Sequence, residues 1–269
     1  MTAPPILMER HGNVVLLTLN RPDTRNALSG EDMFAGFEAI VEQLNADTSV
    51  RAAVLTGAGT AFCSGGNVAE MRDRTGMFAG SPEEITLHYR QGIQRIPRAL
   101  ARLQVPLIAA VNGPAIGAGN DLACMCDIRI AATTARFAES FVKVGIIPGD
   151  GGCWLLQRAV GYAKAAEMAL TGETLDAQEA LRIGLVSQVV APEALLEAAL
   201  QLARRIAANP TQVLRWTKQL LQQGRGGTLD EALDAAGRLQ GLAHHTPDHA
   251  EAVAAFFDKR PPRFQGDAP

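Results

Sequence analysis

Short apolar runs alternate with segments of helical periodicity along the first two thirds of the chain. Between the first two runs, apolar residues recur every three or four positions from Met33 to Leu44, which predicts an amphipathic helix. Short apolar strands separated by helices are typical of a parallel β/α architecture. The predicted strands cover residues 14–19, 52–56, 106–111, 127–132 and 184–190.

Local signals refine the predicted helices. Ser29, with Asp32 three residues later, has the pattern of a capping box and predicts the start of the first helix. Three more helices are predicted within residues 81–103, from about residue 120, and over residues 152–170.

The strand pattern ends near residue 192, and only helices are predicted beyond it. They cover residues 192–208 and 210–223, followed by one that Thr228 and Glu231 open and one that Thr246-Pro247 opens, with proline at the first helical position. We therefore divide the chain into a β/α core, residues 1–195, and a helical C-terminal region, residues 196–269. Phe256 and Phe257 near the end either pack on the chain's own core or bury a subunit interface.

The composition and net charge of the chain exclude some classes of binding partner. The chain has 269 residues, 47% of them hydrophobic, and a net charge of −3, which is ordinary for a globular protein. Nucleic acids and acidic membranes are bound through basic surfaces, so neither is expected as a partner. No window reaches the roughly 18 apolar residues of a membrane helix. The first eight residues lack the basic residues of a targeting signal, so we expect a cytoplasmic location.

The four cysteines do not suggest a metal site. Cys124 and Cys126 are separated by one residue, while Cys63 and Cys153 stand alone, and this spacing fits no common zinc pattern. We expect reduced, buried cysteines and no bound metal.

Two glycine-rich segments, residues 57–67 and 106–121, each place small residues directly after a predicted strand. Backbone without bulky side chains lets a ligand oxygen approach the N–H groups, and the first turn of a helix leaves such groups unpaired. Two of them directed at one oxygen would form an oxyanion hole. The alternative is that both segments are simply tight strand-to-helix turns. Neither matches the glycine patterns of dinucleotide or P-loop sites.

In combination these segments resemble those of the crotonase (enoyl-CoA hydratase/isomerase) superfamily. The similarity extends to Asn20-Arg21-Pro22, Asn26-Ala27-Leu28, residues 137–152 and the tail 258–264, and so covers nearly the whole chain. The resemblance implies an α/β fold built as a spiral of ββα units with a C-terminal helical region. It also implies trimers, often paired into hexamers.

The resemblance also implies roles for particular residues. The backbone N–H groups of Gly66 and Ala118 correspond to the two oxyanion donors. Arg25 lies where the family contacts the CoA phosphates, and Ser64 lines the path of the thioester. The positions implied to bind substrate or CoA are Arg25, Ala27, Ser64, Gly65, Phe141 and Lys259. No cofactor is implied, because CoA enters as part of the acyl-CoA substrate.

The sequence departs from the family at the acid/base positions. Family hydratases hold one water between two glutamates, and the corresponding residues here are Asp121 and Phe141. Asp150, among glycines, offers a substitute carboxylate; some family isomerases and a dehalogenase carry an aspartate one position earlier. The alternative role for Asp150 is to cap the following helix. Glu139 is expected to point away from the acyl pocket.

Three functions are therefore compared. The first is an enoyl-CoA hydratase that works through an oxyanion-stabilised thioester enolate, with Asp121 and Asp150 handling the water and the proton. The second is an enoyl-CoA double-bond isomerase, which can move a proton between carbons with a single carboxylate. The third is a non-catalytic homologue that binds acyl-CoA or RNA, although the negative net charge disfavours RNA.

Overall fold

The computed structural model describes residues 3–264. Its larger sheet has the strand order β1-β2-β3-β4-β6-β9, in which β1 is antiparallel to β2 and all other neighbours are parallel. These strands are β1 (Ile6–His11), β2 (Val14–Leu19), β3 (Ala52–Gly57), β4 (Leu107–Val111), β6 (Ile128–Ala132) and β9 (Gln188–Val190). The predicted parallel β/α architecture is confirmed, since each predicted strand overlaps one of these.

A second, smaller sheet was not predicted. It consists of β5 (Pro114–Ile116), β7 (Arg136–Ala138) and β8 (Thr174–Asp176), with β5 parallel to β7 and β8 antiparallel to β7. Strands of three residues are too short for an alternating pattern to show in the sequence.

Helices fill the connections and the C-terminal region. They are α1 (Glu31–Ala46), α2 (Val68–Asp73), α3 (Pro82–Gln91), α4 (Arg95–Ala101), α5 (Ala118–Met125), α6 (Gly152–Val160), α7 (Tyr162–Thr171), α8 (Ala177–Arg182), α9 (Leu195–Ala207), α10 (Thr211–Gly224), α11 (Leu229–Ala243) and α12 (Pro247–Phe257). None of the helices within residues 3–264 is long and apolar enough to cross a membrane.

The predicted capping box at Ser29 is wrong. Helix α1 begins one residue later, after Gly30, whose φ of 88° suits glycine. Asp32 accepts a hydrogen bond from the N–H of Met33 and pairs with Arg21 instead of capping the helix. By contrast, the capping box of Thr228 and Glu231 and the cap by Thr246 are confirmed.

The segment 152–170, predicted as one helix, consists of two. Gly161 adopts a φ of 79° and separates α6 from α7. The earlier segment 81–103 is likewise divided, into α3 and α4.

Two apolar layers enclose the larger sheet. On one face lie α1, α4 and α5 with the buried rings of Phe37, Phe62 and Phe137. On the other face, Ala199 and Ala203 of α9 pack on β3 and β4. Helix α9 thus belongs to the core by its packing, and the division of the chain at residue 195 stays a prediction.

Several apolar side chains of the C-terminal region are exposed. Phe256 and Phe257 are 79% and 77% accessible, so of the two alternatives packing on the chain's own core is wrong, and burial at a subunit interface stays a prediction. Of the cysteines, Cys63, Cys124 and Cys126 are buried as expected, whereas Cys153 is exposed.

Candidate active site

The two glycine-rich segments meet in space. Cys63 forms a parallel bridge with Ala115, supported by hydrogen bonds from Cys63 N–H to the Pro114 carbonyl (3.1 Å) and from Ile116 N–H to the Cys63 carbonyl (3.0 Å). A Cβ on Gly119 would lie 2.1 Å from the Cys63 carbonyl oxygen. Only glycine permits this approach, so the small residues have a specific packing role.

The two predicted oxyanion donors lie at this junction. A Cβ on Gly65 would lie 3.1 Å from the backbone nitrogen of Ala118, so the residue preceding Gly66 touches the start of α5. Neither the N–H of Gly66 nor that of Ala118 donates to an acceptor within residues 3–264. Both groups are therefore available to a ligand, as the first turn of a helix allows. Their joint action on one oxygen stays a prediction.

Backbone hydrogen bonds hold residues 25–28 against the first glycine-rich segment, residues 57–67. The Arg25 carbonyl accepts the N–H of Ser64 (2.9 Å), and the N–H of Leu28 donates to the Gly65 carbonyl (2.8 Å). Arg25 and Asn26 both have positive φ, 54° and 59°, a conformation uncommon for residues other than glycine. The amide of Asn26 stabilises this turn through hydrogen bonds to carbonyl groups of residues 58, 61 and 62.

These contacts position the other predicted binding residues. Ser64 donates its hydroxyl to the Thr24 carbonyl (3.0 Å), Ala27 is buried, and the Arg25 side chain is exposed beside them. The predicted CoA-binding residues of segments 24–28 and 64–66 are thus brought together.

A buried cluster of three carboxyl groups lies behind the start of α5. Asp121 on α5, Glu139 after β7 and Asp150 before α6 are 0%, 1% and 2% accessible. A Cβ on Gly152 would lie 2.2 Å from Oε1 of Glu139 and 2.5 Å from Oδ1 of Asp121. Both oxygens would clash with the same atom, so they are close neighbours.

Few hydrogen-bond donors contact these carboxyl groups. Asn120 donates its amide to Oε2 of Glu139 at 3.0 Å. Among the described residues, no N–H or hydroxyl group donates to Asp121 or to Oε1 of Glu139. Asp121 instead lies within hydrogen-bonding reach of both Asp150 and Glu139, so a proton on one carboxyl group can be shared with another. Asp150 does not cap α6 with its side chain either, because the cap position belongs to Gly151.

This environment favours the protonated carboxyl. Burial raises the pKa of Asp121 well above its ordinary value, and the charges of Asp150 and Glu139 raise it further. Burial also raises the pKa of Asp150 and of Glu139, although the hydrogen bond from Asn120 partly opposes the shift of Glu139. Carboxyl groups this close cannot all be ionised, so they share protons and can provide both an acid and a base.

An open cavity of about 830 Å³ lies near both features. Met71 and Phe78 of its lining are neighbours of Gly66, and Gly149 of its lining directly precedes Asp150. The ring of Tyr89 packs against Gly149, and burial together with the charge of Asp150 raises the pKa of the Tyr89 hydroxyl. The cavity is therefore lined by residues that adjoin Gly66 on one side and Asp150 on the other, while the three acids themselves are buried behind it.

Sequence comparison decides the family. The sequence model described as Enoyl-CoA hydratase/isomerase matches residues 9–267. The chain is 40% identical over 261 residues to the 1,2-epoxyphenylacetyl-CoA isomerase of Escherichia coli (strain K12), covering 97% of this chain and 98% of that protein. It is 39% identical over 264 residues to the probable enoyl-CoA hydratase echA8 of Mycobacterium tuberculosis (strain CDC 1551 / Oshkosh), covering 98% and 99%. This chain belongs to the enoyl-CoA hydratase/isomerase family.

Solved structures agree with this assignment. The enoyl-CoA hydratase of Mycobacterium smegmatis superposes with a TM-score of 0.89 at 37% identity, covering 97% of this chain and 99% of that one. The crotonase fold with its C-terminal helices is thus confirmed. The chain is an acyl-CoA-processing enzyme of the enoyl-CoA hydratase or isomerase type.

Phe141 lies where the resemblance places the second glutamate of family hydratases. A Cβ on Gly117 would lie 3.5 Å from the Phe141 ring, so the ring covers the residue before the predicted donor Ala118. An aromatic ring cannot accept a proton, and the ring instead gives this side of the enoyl-CoA hydratase/isomerase site an apolar wall.

Lys259 lies apart from these residues. It is exposed just after α12, with a φ of 52°. Its backbone N–H donates to the Phe256 carbonyl, and no hydrogen bond within residues 3–264 joins it to segments 25–28 or 64–66. Its contact with CoA in this family member stays a prediction.

Sequence reasoning missed Glu139 and Tyr89. That Glu139 points away from the acyl pocket stays a prediction; what sequence reasoning missed is that it lies against Asp121 in the acidic cluster. The sequence did contain a signal for its burial. Glu139 follows Phe137 by two residues, and because side chains alternate along a strand the two lie on the same, buried face. For Tyr89 there was no such signal, because α3 reaches Gly149 only through the tertiary fold.

Proposed function

We propose that this enzyme is an enoyl-CoA hydratase that adds water across the double bond conjugated to the thioester. The observation that supports this most is the burial of Asp121 and Asp150 together, in hydrogen-bonding reach of each other, with an open cavity that reaches Gly149 next to Asp150. Such a pair can hold one ionised and one protonated carboxyl at the same time, and hydration needs one base and one acid.

The proposed reaction uses these groups in order. The thioester oxygen accepts hydrogen bonds from the N–H groups of Gly66 and Ala118, which stabilise the negative charge that develops there. One such donor contributes roughly 3 kcal/mol of transition-state stabilisation. The ionised carboxyl takes a proton from water as the oxygen bonds to the β carbon. The protonated carboxyl then delivers a proton to the α carbon, and the enolate returns to the thioester.

A second candidate is a double-bond isomerase. The observation that favours it is the Phe141 ring at Gly117, which leaves no glutamate at the second family position. The relative from Escherichia coli with 40% identity is also named an isomerase. In this reaction one carboxyl removes a proton from the α carbon of a 3-enoyl-CoA and returns it to the γ carbon, so the double bond becomes conjugated.

Two assays separate these candidates. A hydratase removes the conjugated enoyl absorbance of crotonyl-CoA, whereas an isomerase generates that absorbance from a 3-enoyl-CoA. We expect loss of absorbance in the first assay. A silent first assay with a positive second one would replace the hydratase by the isomerase. Silence in both would contradict both reactions.

The proposed assembly is a homotrimer or a pair of trimers. The exposed rings of Phe256 and Phe257 support this, because aromatic side chains at the end of a terminal helix bury well between subunits. A cytoplasmic location, and a reaction without a cofactor or metal beyond the CoA of the substrate, stay predictions.

A further inference from the structure

Glu139 is a buried acid that the proposed reaction does not use. It follows β7 directly, is 1% accessible, and receives the Asn120 amide on Oε2 at 3.0 Å. Asn120 and Asp121 are successive residues of α5, so the helix that carries Asp121 also fixes Glu139. A buried acid with one oxygen fixed has its other oxygen held in a defined direction.

That other oxygen faces Asp121. Oε1 of Glu139 and both Oδ atoms of Asp121 lie 2.2, 2.5 and 2.6 Å from the position that a Cβ on Gly152 would occupy. The absence of a side chain at Gly152 therefore leaves the space into which both carboxyl groups turn. Two carboxyl oxygens without other donors approach each other favourably only when a proton lies between them.

Resting on the proposed function, we propose that Glu139 is a positioning residue that shares a proton with Asp121 and so sets the pH at which Asp121 becomes a base. Asp121 carries the proton and donates it in a hydrogen bond to Oε1 of Glu139. When that proton leaves to solvent, the O–H bond of Asp121 breaks and no other bond changes. The negative charge of Glu139 opposes this step, so Asp121 ionises at a higher pH than it would alone.

Other titratable groups surround the pair. Asp150 and the Cys124 thiol of α5 face Asp121 directly, and the charges of both, when ionised, act in the same direction as that of Glu139. Tyr89 of α3 and the Cys63 thiol lie on the side of Asp150. Burial raises the pKa of both cysteines to about 11 or 12, so they stay neutral where Asp121 titrates.

The substitution Glu139→Gln removes the negative charge beside Asp121 and keeps the contact with Asn120. Glutamine still accepts the Asn120 amide, and its own amide can donate to an ionised Asp121. We expect the acidic limb of the kcat/KM profile to move to lower pH by about one unit, within the range that a neighbouring charge produces. A purely structural role predicts no movement. Glu42→Gln, the same change on the exposed face of α1, is the control and should leave the profile unchanged.

The conservative substitution Glu139→Asp provides a second test of the role of the charge. Glu139→Asp keeps the charge, so its acidic limb should lie closer to that of the wild type than the limb of Glu139→Gln does. An acidic limb of Glu139→Gln that superposes on the wild type would overturn the proposal.

A measurement without substrate separates this proposal from the proposed function. The infrared spectrum of the free enzyme near neutral pH should contain a band of a protonated carboxyl group that disappears in Asp121→Asn and shifts in Glu139→Gln. These changes would support the shared proton even if neither enoyl-CoA substrate reacted. A band that is absent, or that Glu139→Gln leaves unchanged, would contradict the shared proton whether or not the enzyme hydrates crotonyl-CoA.

Discussion

At the scale of single residues, Asp121 combines a catalytic position with a cost in stability. It is fully buried, and two other acids lie within hydrogen-bonding reach of it. Its negative charge is therefore unfavourable, and each unit by which its pKa is raised costs the ionised folded protein about 1.4 kcal/mol. An amide of the same shape carries no charge, so it removes that cost together with the catalytic function.

We therefore expect Asp121→Asn to lower turnover by about 10²–10⁴-fold, the usual contribution of a general acid or base. Binding of acyl-CoA should survive, and the free energy of unfolding at about pH 8 should rise by about 1–3 kcal/mol, because an unfavourable buried charge is removed. Kinetics, calorimetric binding and denaturant unfolding measure the three quantities. Asp234→Asn on the exposed surface of α11 is the control. Full activity in Asp121→Asn would show that another group is the base.

The same acids give unfolding a defined pH dependence. The folded protein binds protons on these three acids more tightly than the unfolded chain does. Protonation of the acids therefore stabilises the folded state, and this contribution is complete below about pH 4, where the carboxyl groups of the unfolded chain titrate. It is lost as the pH rises through the folded values, with the pKa of Glu139 raised to about 7. Wild-type stability should thus fall between about pH 4 and 7, and less steeply in Asp121→Asn.

Phe141 offers a test by gain of function. A glutamate there would place a carboxylate beside Gly117, where family hydratases carry one, and we expect Phe141→Glu to raise the rate of crotonyl-CoA hydration by about tenfold. Val142→Glu, at the exposed next position, is the control and should leave the rate unchanged. A lower rate in Phe141→Glu would mean that the apolar wall is itself part of the site.

At the scale of elements, the site depends on how closely the start of α5 approaches the Cys63 strand bridge. Gly119→Ala would place a Cβ 2.1 Å from the Cys63 carbonyl oxygen, so the two predicted oxyanion segments must separate. We expect a loss of about 1–3 kcal/mol in the free energy of unfolding and a large loss of turnover. Gly237→Ala in α11, with nothing within 4 Å of the new Cβ, should cause neither. Unchanged activity in Gly119→Ala would remove this junction from the catalytic account.

The elements also show which parts of the fold the sequence predicts. The strand at Val14–Leu19 is found with the predicted bounds, because five apolar residues and one threonine, bounded by turns, form a strong local pattern. The smaller sheet was missed because its strands have three residues each and depend on tertiary pairing. The break at Gly161 was missed because a glycine within an apolar helical pattern does not by itself indicate a positive φ.

In the candidate site, too, local features could be predicted from the sequence and tertiary contacts could not. Asp121 could be selected from the resemblance to family hydratases, and Asp150 from its place among glycines. Their contact with Glu139 could not, since it joins three elements that are distant in the sequence. The covering of Gly117 by Phe141 likewise depends on the parallel pairing of β5 with β7.

At the scale of the whole molecule, the exposed end of α12 predicts association. Burial of a phenylalanine side chain contributes about 1.5–3 kcal/mol, so two exposed rings favour contact with another subunit. We expect the double substitution Phe256→Ser and Phe257→Ser to shift the wild-type oligomer toward smaller species in sedimentation velocity. The double substitution Leu233→Ser and Leu242→Ser on exposed α11 positions is the comparison. A wild-type chain that sediments as a monomer would contradict the proposed trimer.

The central claim is that the buried acids add water to a conjugated enoyl-CoA. The most direct test is mass spectrometry of the product formed from crotonyl-CoA in water labelled with heavy oxygen. We expect a product that is heavier than the substrate by one labelled water, formed at least about 100-fold more slowly by Asp121→Asn than by the wild type. A substrate recovered without labelled oxygen, while a 3-enoyl-CoA is converted to its conjugated isomer, would contradict it.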